Sequence, residues 1–368
     1  MHIYVHVPFC ARRCSYCDFA IAVRRTTPDQ QYIAAISQEW RHWAALRGDD
    51  GAAPVTTLYF GGGTPSRLEP ASIAQLIDTI AAERRMAPDA EVTLETNPDD
   101  VTEARAHAWS ASGVNRVSLG VQSHDPAVLE WMHRTHRAEQ VPGAVAALRG
   151  AGIHNISIDM IFALPTALGR DWRQDLQRTI GLEPAHVSLY GLTVEPHTLL
   201  FRWTQQGGTV APTDDRYAEE YLEAHESLTA AGYEHYEVSN AGRPGFRARH
   251  NFAYWTGVDY VGLGPSAHSL DRDVRRWNVR EWAAYQTRLA RGESVTAGSE
   301  SLDAATRALE RRYLRLRTSD GLRAAELPVG TAECWHQQGW ATLHDGLVCL
   351  TAEGWLRLDA LVGAARRS

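Results

Sequence analysis

The sequence predicts an α/β protein built on a parallel sheet. Two observations carry this. Six short β-rich runs alternate with helical patterns, which is the order of strand–crossover–strand units. Hydrophobic residues make up 44% of the chain, ample for a packed core. Six units fall short of the eight of a closed (β/α)8 barrel, so the sheet either curls into a partial barrel or stays open.

The strands are expected at HIYVHV (2–7), VTTLYF (55–60), EVTLET (91–96), NRVSLG (115–120), NISIDMIF (155–162) and HVSLYGL (186–192). A helix begins at Thr27-Pro28, a cap residue followed by a proline suited to the first turn, and carries Ile33, Ile36, Trp40 and Trp43 at three- to four-residue spacing. Further helices are expected over 70–85, 102–112, 139–150, 171–179 and 215–231. Periodicity weakens after about residue 235, where SNAGRPGFRARHNFAYW leads into the short apolar run YVGLGPSAH. A separate C-terminal unit starts near Ser301. Its first helix is LDAATRALERRYLRL with Asp303 as cap, and a hairpin around His344-Asp345-Gly346 precedes a last helix, an order that suggests a small winged-helix-like module. The expected division is a core over 1–235, a connecting region over 236–300 and a C-terminal domain over 301–368, with the tail AARRS frayed.

Totals narrow the function. Net charge is −7 and the pI is near 6.1, which argues against broad charge-driven nucleic-acid binding. No apolar run reaches the length of a membrane span. The first residues read as a strand and lack a signal peptide's basic start and small-residue cleavage site. Five cysteines, an odd and sparse number, suit a reducing cytosol better than a disulfide framework. The 12 tryptophans are expected mainly as core or interface anchors.

Three of the five cysteines, Cys10, Cys14 and Cys17, fall within eight positions of HVPFCARRCSYCDF. They could be three small buried hydrophobes. They could hold zinc with His6 as a fourth ligand, although the strand alternation points His6 away from the loop. Soft thiolates also select iron–sulfur clusters, whose usual four-iron site takes four cysteines. Three would leave one iron open, and an open position on a metal is where a substrate binds.

Cys10-x3-Cys14-x2-Cys17, with Tyr16 before the last cysteine, resembles the radical S-adenosylmethionine (SAM) superfamily. The resemblance implies a (β/α)6 partial TIM-type barrel with a [4Fe–4S] cluster on the loop after the first strand. It also implies that the amino and carboxylate groups of SAM chelate the fourth iron, and that one electron from the cluster cleaves the sulfonium. Gly61-Gly62-Gly63-Thr64 after the second strand resembles the motif that holds SAM's amino group, glycine allowing close backbone approach. By the same resemblance, Glu95 accepts from the amino group and Arg134 pairs with the carboxylate through its planar fork. Gln122 and Asp159 bind ribose hydroxyls, and Tyr4 and Tyr16 belong to the SAM-binding set with Gly62, Gly63 and Thr64. Each has a plainer reading: Glu95 as a helix cap, Gln122 as a loop-satisfying amide, Arg134 as a solvated charge, Asp159 as a structural acid.

The stretches YVHVPFC, YFGGGTPS, ETNPD, GVNRVSLGVQS, NISIDMIFALP, HVSLYGLTVEP, YEVSNAG, RHNFAYW and DYVGLGPSAH occur in that order. Together they resemble the oxygen-independent coproporphyrinogen III oxidase family and, within it, the heme-chaperone branch. The decarboxylating oxidases carry a further cysteine soon after the third and a long extension before the first strand. Here Cys17 is followed by Asp18-Phe19, and the chain starts at the strand. The chaperone branch also carries an HNxxYW motif, here His250 to Trp255. The resemblance implies heme binding by His250, Asn251, Tyr254 and Trp255, with an imidazole for the iron and aromatics over the macrocycle. The plainer reading is a loop histidine bonded to backbone. Ala163 departs from the family's FGLP or YGLP, as does the following TALGRD.

The resemblance therefore implies a cytoplasmic chaperone that holds a SAM-bound [4Fe–4S] cluster, binds heme and passes it to respiratory acceptor proteins, with an electron donor for the cluster. The alternative is an oxidase that decarboxylates coproporphyrinogen III, and no catalytic residue is assigned. A structural metal or interaction module would leave the SAM-type residues unexplained. A homodimer and a peripheral membrane contact stay open.

Overall fold

Alternation within each strand decides the architecture. Strand β1 (His2–Val7) turns Ile3, Val5 and Val7 to one face, where all three are fully buried, and His2, Tyr4 and His6 to the other. The same parity runs through β2 (Val55–Gly62), β3 (Met86–Thr96), β4 (Arg116–Gln122), β5 (Asn155–Phe162) and β6 (His186–Gly191). Leu58, Phe60, Val92, Leu94, Val117, Leu119, Ile156, Ile158, Val187 and Leu189 form the apolar face. Each such side chain stabilises the fold by roughly 1.5–3 kcal/mol. The structure is a computed structural model describing residues 1–47 and 53–365.

All six expected strands form. They pair in parallel and in sequence order, with registers such as Tyr4↔Tyr59, Glu95↔Ser118 and Asp159↔Ser188. The crossovers are α1 (Asp29–Arg47), α2 (Pro70–Glu83), α3 (Glu103–Ala111), α4 (Gln140–Gly150) and α5 (Trp172–Gly181). Helix α6 (Asp214–Ala230) follows β6. Thr102, Asp171 and Thr213 cap α3, α5 and α6 by accepting from backbone N–H groups. Thr27 does not cap α1: its hydroxyl donates to the Asp29 carboxylate, and the helix starts two residues later than Thr27. Trp40 and Trp43 stack at 5.2 Å on α1 beneath the sheet.

The segment after residue 235 extends the same sheet. On one edge, β7 (Glu234–Glu237) and β8 (Asn240–Gly242) add antiparallel to β6. On the other, β9 (Tyr260–Leu263), the run YVGL, pairs in parallel with β1, and β10 (His268–Asp271), β11 (Val274–Asn278) and β12 (Thr296–Ser301) continue antiparallel. Helix α7 (Arg249–Thr256) links β8 to β9, and α8 (Trp282–Ala290) lies between β11 and β12. The result is a mostly parallel sheet of partial-barrel type whose outermost strands are β12 and β7. Glu39 of α1 ties this extension to the core by accepting from Gly264 N–H (2.7 Å), Asn278 (2.6 Å) and Tyr285 (2.6 Å). Burial pushes its carboxyl up to about 7.

Beyond Ser301, Asp303 accepts from Thr306 N–H to cap α9 (Ala304–Leu316). Then come a short strand, Leu322–Arg323, helix α10 (Thr331–Gln337) and the hairpin Ala341–His344/Leu347–Leu350 across Asp345-Gly346. The last helix, α11, is Leu358–Ala364, so the tail expected to fray begins inside a helix, and its last three residues lie outside the described ones.

Ala163 adopts a left-handed φ of +57°, which explains why the family pattern has glycine there. Its N–H donates to Glu220 at 2.6 Å, and Glu220 is ion-paired with Arg170 and with Arg216. A left-handed L-residue costs roughly 1–2 kcal/mol, against roughly 0.5–1 kcal/mol for glycine's extra chain entropy. Ala163→Gly is expected to raise unfolding stability by about 0.5 kcal/mol. Denaturant titration checks this, and a loss beyond about 1 kcal/mol would contradict it.

Candidate functional site

A cavity of about 400 Å³ opens at the carboxyl ends of the parallel strands, where α/β sheets bind ligands. Its first wall is the loop after β1. Phe9 and Cys10 pair in parallel with Ala22 and Val23, which closes the cysteine loop at its base. Gly63 and Thr64 donate backbone N–H groups to the Val7 and Phe9 carbonyls at 2.8 and 2.9 Å. A Cβ at Gly63 would stand 2.9 Å from the Pro8 carbonyl carbon, so only glycine allows the two loops this approach.

Cys10, Cys14 and Cys17 are free and half-buried, and all three line this cavity. The Thr64 hydroxyl donates to Cys10 Sγ at 3.4 Å, and the Arg134 guanidinium lies 3.7 Å from Cys14 Sγ. Burial pushes the Cys17 thiol up to about 12 and raises that of Cys10. Buried thiols of this kind become thiolates when a metal replaces their protons. His6 is not available as a fourth ligand. Its ring nitrogens meet the Tyr4 hydroxyl at 3.1 Å and the Ala20 carbonyl at 2.9 Å. Among the described residues no three His, Cys, Asp or Glu side chains converge on a single-ion position. The three thiols line one cavity, and soft thiolates are the ligands of iron–sulfur clusters, whose irons take one thiolate each.

The opposite wall holds the polar groups. Glu95 accepts from Gly62 N–H (3.0 Å) and the Tyr59 hydroxyl (2.8 Å), so it caps no helix. Burial pushes its carboxyl up to about 7. Arg134 is not solvated: it donates to Asn97 and to the Gly120 carbonyl, both at 2.6 Å, while its Nε is buried without a partner. Gly120 leaves room for this, since a Cβ there would stand 3.2 Å from the guanidinium. Gln122 is buried at a left-handed φ of +67°, a conformation that costs a glutamine energy and that clusters at functional sites. Asp159 accepts from Ser118 at 2.9 Å and from Ser157 at 3.2 Å, and burial still raises its pKa.

Every residue expected around SAM lines this cavity except Tyr4. Tyr4 lies deeper along β1, stacked on Tyr59 and tilted against His250, and opens toward a different groove. The cavity also takes in Asn97, which orients Arg134, and Tyr190 of β6. Tyr190 shares the inward parity of Ser188 and is 44% exposed, a signal readable from the strand alternation.

His250 sits elsewhere. It lies on α7 and is buried, with Nδ1 at 2.7 Å from the Thr57 hydroxyl and Nε2 at 2.8 Å from the Tyr254 hydroxyl. Its backbone N–H and that of Arg249 donate to the Glu91 carboxylate at 2.9 and 3.0 Å, which caps α7 from inside the sheet. Burial pushes the imidazole down to about 3, so it is neutral, but both ring nitrogens are taken. Both ring nitrogens are bonded to side chains rather than to backbone, which amends the plainer reading, and heme binding at His250 stays the expectation drawn from the HNxxYW motif. Asn251 is half-buried on the same helix, and Tyr254 and Trp255 face outward to a groove.

Residues 4–178 match the family model described as the radical SAM superfamily. The chain is 36% identical to a Mycobacterium tuberculosis protein called heme chaperone HemW, over 98% of this chain and 93% of that one. It is 35% identical to the Synechocystis protein of the same name, over 88% of this chain and 80% of that one. Among solved structures, the coproporphyrinogen III oxidase HemN from Escherichia coli, titled a radical SAM enzyme, superposes with a TM-score of 0.84. It covers 100% of this chain and 90% of its own at 22% identity, a likeness of fold.

His250→Ala would take away the partner of the Tyr254 hydroxyl and one of two partners of the buried Thr57 hydroxyl, which keeps His2 Nδ1 at 2.9 Å. It is expected to cost about 1–3 kcal/mol of unfolding stability. A denaturation midpoint unchanged from the parent would show that the α7 helix is not anchored by this ring.

Proposed function

The chain belongs to the radical SAM superfamily and, within it, to the family of the HemW proteins, and from this membership we propose that it is a heme chaperone. In this reading it holds a SAM-bound [4Fe–4S] cluster in the strand-end cavity, binds heme, and hands heme to acceptor proteins, respiratory ones among them, in the cytoplasm. The observation that carries the reading is the pair of relatives named heme chaperone, matched over most of both chains. The cavity supports it: three thiols line one wall, and no fourth cysteine joins them there.

When bound, the cluster supplies an iron with an open coordination position and a one-electron reductant for SAM. The protein's own groups orient the ligand. Glu95, already held by Tyr59 and Gly62, presents a carboxylate to SAM's amino group. Arg134 brings a guanidinium with an unpartnered Nε to the cavity, a charge suited to a carboxylate. Asp159 and Gln122 face the cavity with oxygens suited to ribose hydroxyls. Thr64 donates to Cys10 and so favours its thiolate. Among the described residues no helix is long and apolar enough to cross a membrane.

An anaerobic assay separates this reading from the oxidase. Protein reconstituted with iron and sulfide, given SAM and reductant, is expected to bind heme stoichiometrically and to form no protoporphyrinogen from coproporphyrinogen III. Porphyrin product without heme binding would replace the chaperone by the enzyme.

Glu95 sets a pH dependence. Its carboxyl titrates near about 7 in the free protein. Below that pH it is protonated and must lose a proton before accepting from SAM's amino group, so SAM affinity falls as pH drops through this point. Binding at about pH 6 is expected to be about tenfold weaker than at about pH 8, and Glu95→Gln is expected to be weak and pH-independent. A flat profile in the parent protein would remove Glu95 from the amino-group site.

A further inference from the structure

The chain has a net charge of −7, yet the loop that holds the three cysteines is basic. Residues 8–27 contain Arg12, Arg13, Arg24 and Arg25 against one acid, Asp18. Arg202, on the short helix Leu199–Gln205, and Arg280 line a groove of about 650 Å³ together with Arg13, Asp18 and Glu195. Among the described residues none of these six arginines has a carboxylate within ion-pair reach. Other exposed arginines do pair, as Arg173 does with Glu223 and Arg357 with Glu353. Set against Asp18 and Glu195, the six leave a formal excess of four positive charges.

The loop presents these charges on a fixed backbone. Ala22 N–H donates to the Pro8 carbonyl at 2.7 Å, and Arg24 N–H to the Cys10 carbonyl at 2.9 Å. Arg67 donates to the Arg24 and Arg25 carbonyls at 3.3 and 2.9 Å. Arg13 donates to the Cys17 carbonyl at 3.3 Å, and Arg280 to the Asp18 carbonyl. Leu200 N–H donates to the Ser15 carbonyl at 2.8 Å, which ties the helix of Arg202 to the loop. Arg12, Arg24, Arg25, Arg202 and Arg280 are exposed. Phe19 and Val23 of the same loop are 57% and 46% exposed. Arginines around exposed apolar side chains are the composition of a protein–protein contact.

Place and sign together select the partner. Arg24 is one backbone hydrogen bond from Cys10, and Arg13 one side-chain hydrogen bond from Cys17. A protein seated on this face meets the thiol ligands through their own backbone. Its surface must be acidic, since a local excess of positive charge steers and orients a negative partner. A cluster on these thiols needs one electron from outside before it can act on SAM.

We propose that the arginine-rich face of the cysteine loop is the docking surface for an acidic, low-potential one-electron carrier protein. In the contact the reduced carrier loses one electron and the cluster gains it, passing from the 2+ to the 1+ level, with no bond made or broken and no proton moved. The inference rests on the cluster reading and adds the partner that feeds it.

The test uses full-length protein reconstituted with iron and sulfide, and a plant-type [2Fe–2S] ferredoxin as the acidic, low-potential carrier. Two quantities are read: affinity for the oxidised ferredoxin by calorimetric titration, and the growth of the reduced-cluster EPR signal after mixing with the reduced ferredoxin. The parent protein is expected to bind ferredoxin, more weakly as salt rises. Arg24→Glu combined with Arg25→Glu should weaken binding at least about tenfold and slow reduction by a like factor. Its iron content and its reduction by dithionite, a small reductant that needs no docking, should match the parent. Arg323→Glu combined with Arg357→Glu, the same charge change on the C-terminal unit, should bind as the parent does. Equal affinity in the parent and the Arg24→Glu, Arg25→Glu variant would overturn the proposal. So would a reconstituted parent that binds no ferredoxin, whether or not these arginines hold it to vesicles of anionic phospholipid. Both results would leave the cluster reading standing. A parent protein that takes up no cluster on reconstitution would instead remove that reading, and the docking surface with it.

Discussion

The structure depends on satisfying the polar face of a parallel sheet. Parallel sheets usually bury apolar side chains on both faces. Here the face turned away from the crossover helices carries His2, Tyr4, Thr57, Tyr59, Glu91, Glu95, Arg116, Asp159 and His186 in register. Buried groups of this kind destabilise a fold unless paired. Most are paired layer by layer: Ser157 bonds His186 at 2.8 Å, His186 bonds Tyr236 at 2.8 Å, and Tyr236 accepts from Ala248 N–H at 3.0 Å, whereas Arg116 Nε is buried without a hydrogen-bond partner. Arg116 is fully buried. Burial alone would lower its pKa, and the carboxylates of Glu91 and Asp159 outweigh that.

This column explains why the two ends of the strands differ. At the amino ends the polar groups are closed off. Helix α7 sets its first N–H groups on Glu91 and its histidine on Thr57, joining residues nearly two hundred positions apart. At the carboxyl ends the groups are left open to a cavity. Glu95, Arg134 and Asp159 are held there by neighbours but keep unused donors and acceptors. A carboxylate already positioned in a low-dielectric site needs no reorganisation when an amino group arrives, and its raised pKa is the cost of that readiness. The thiols face the same space, so a metal cluster and an organic ligand would share one cavity.

Much of this is legible in the sequence, for local reasons. Period-two alternation marks all six strands, the cysteine spacing marks the thiol wall, and Asp303 and His344-Asp345-Gly346 mark a cap and a turn by their chemistry. Polar residues at successive strand ends identify Glu95, Gln122 and Asp159 because strand direction is shared in a parallel sheet. What escaped depends on distant contacts. Tyr4 shares the sheet face of Glu95, and its place deeper along β1 shows only in the register with Tyr59. His250 carries no local sign that it meets Thr57. The run YVGL carries too little pattern to show that it continues the sheet beside β1. Ala163 signals its left-handed backbone only by contrast with glycine in the family pattern.

The central claim is that Cys10, Cys14 and Cys17 hold a cluster with one iron left open to SAM. Mössbauer spectroscopy of protein reconstituted anaerobically with isotopically enriched iron tests this most directly, with and without SAM. The account predicts that SAM changes the isomer shift and quadrupole splitting of one iron and leaves the other three as they were. Spectra with all irons equivalent and unaffected by SAM would contradict it.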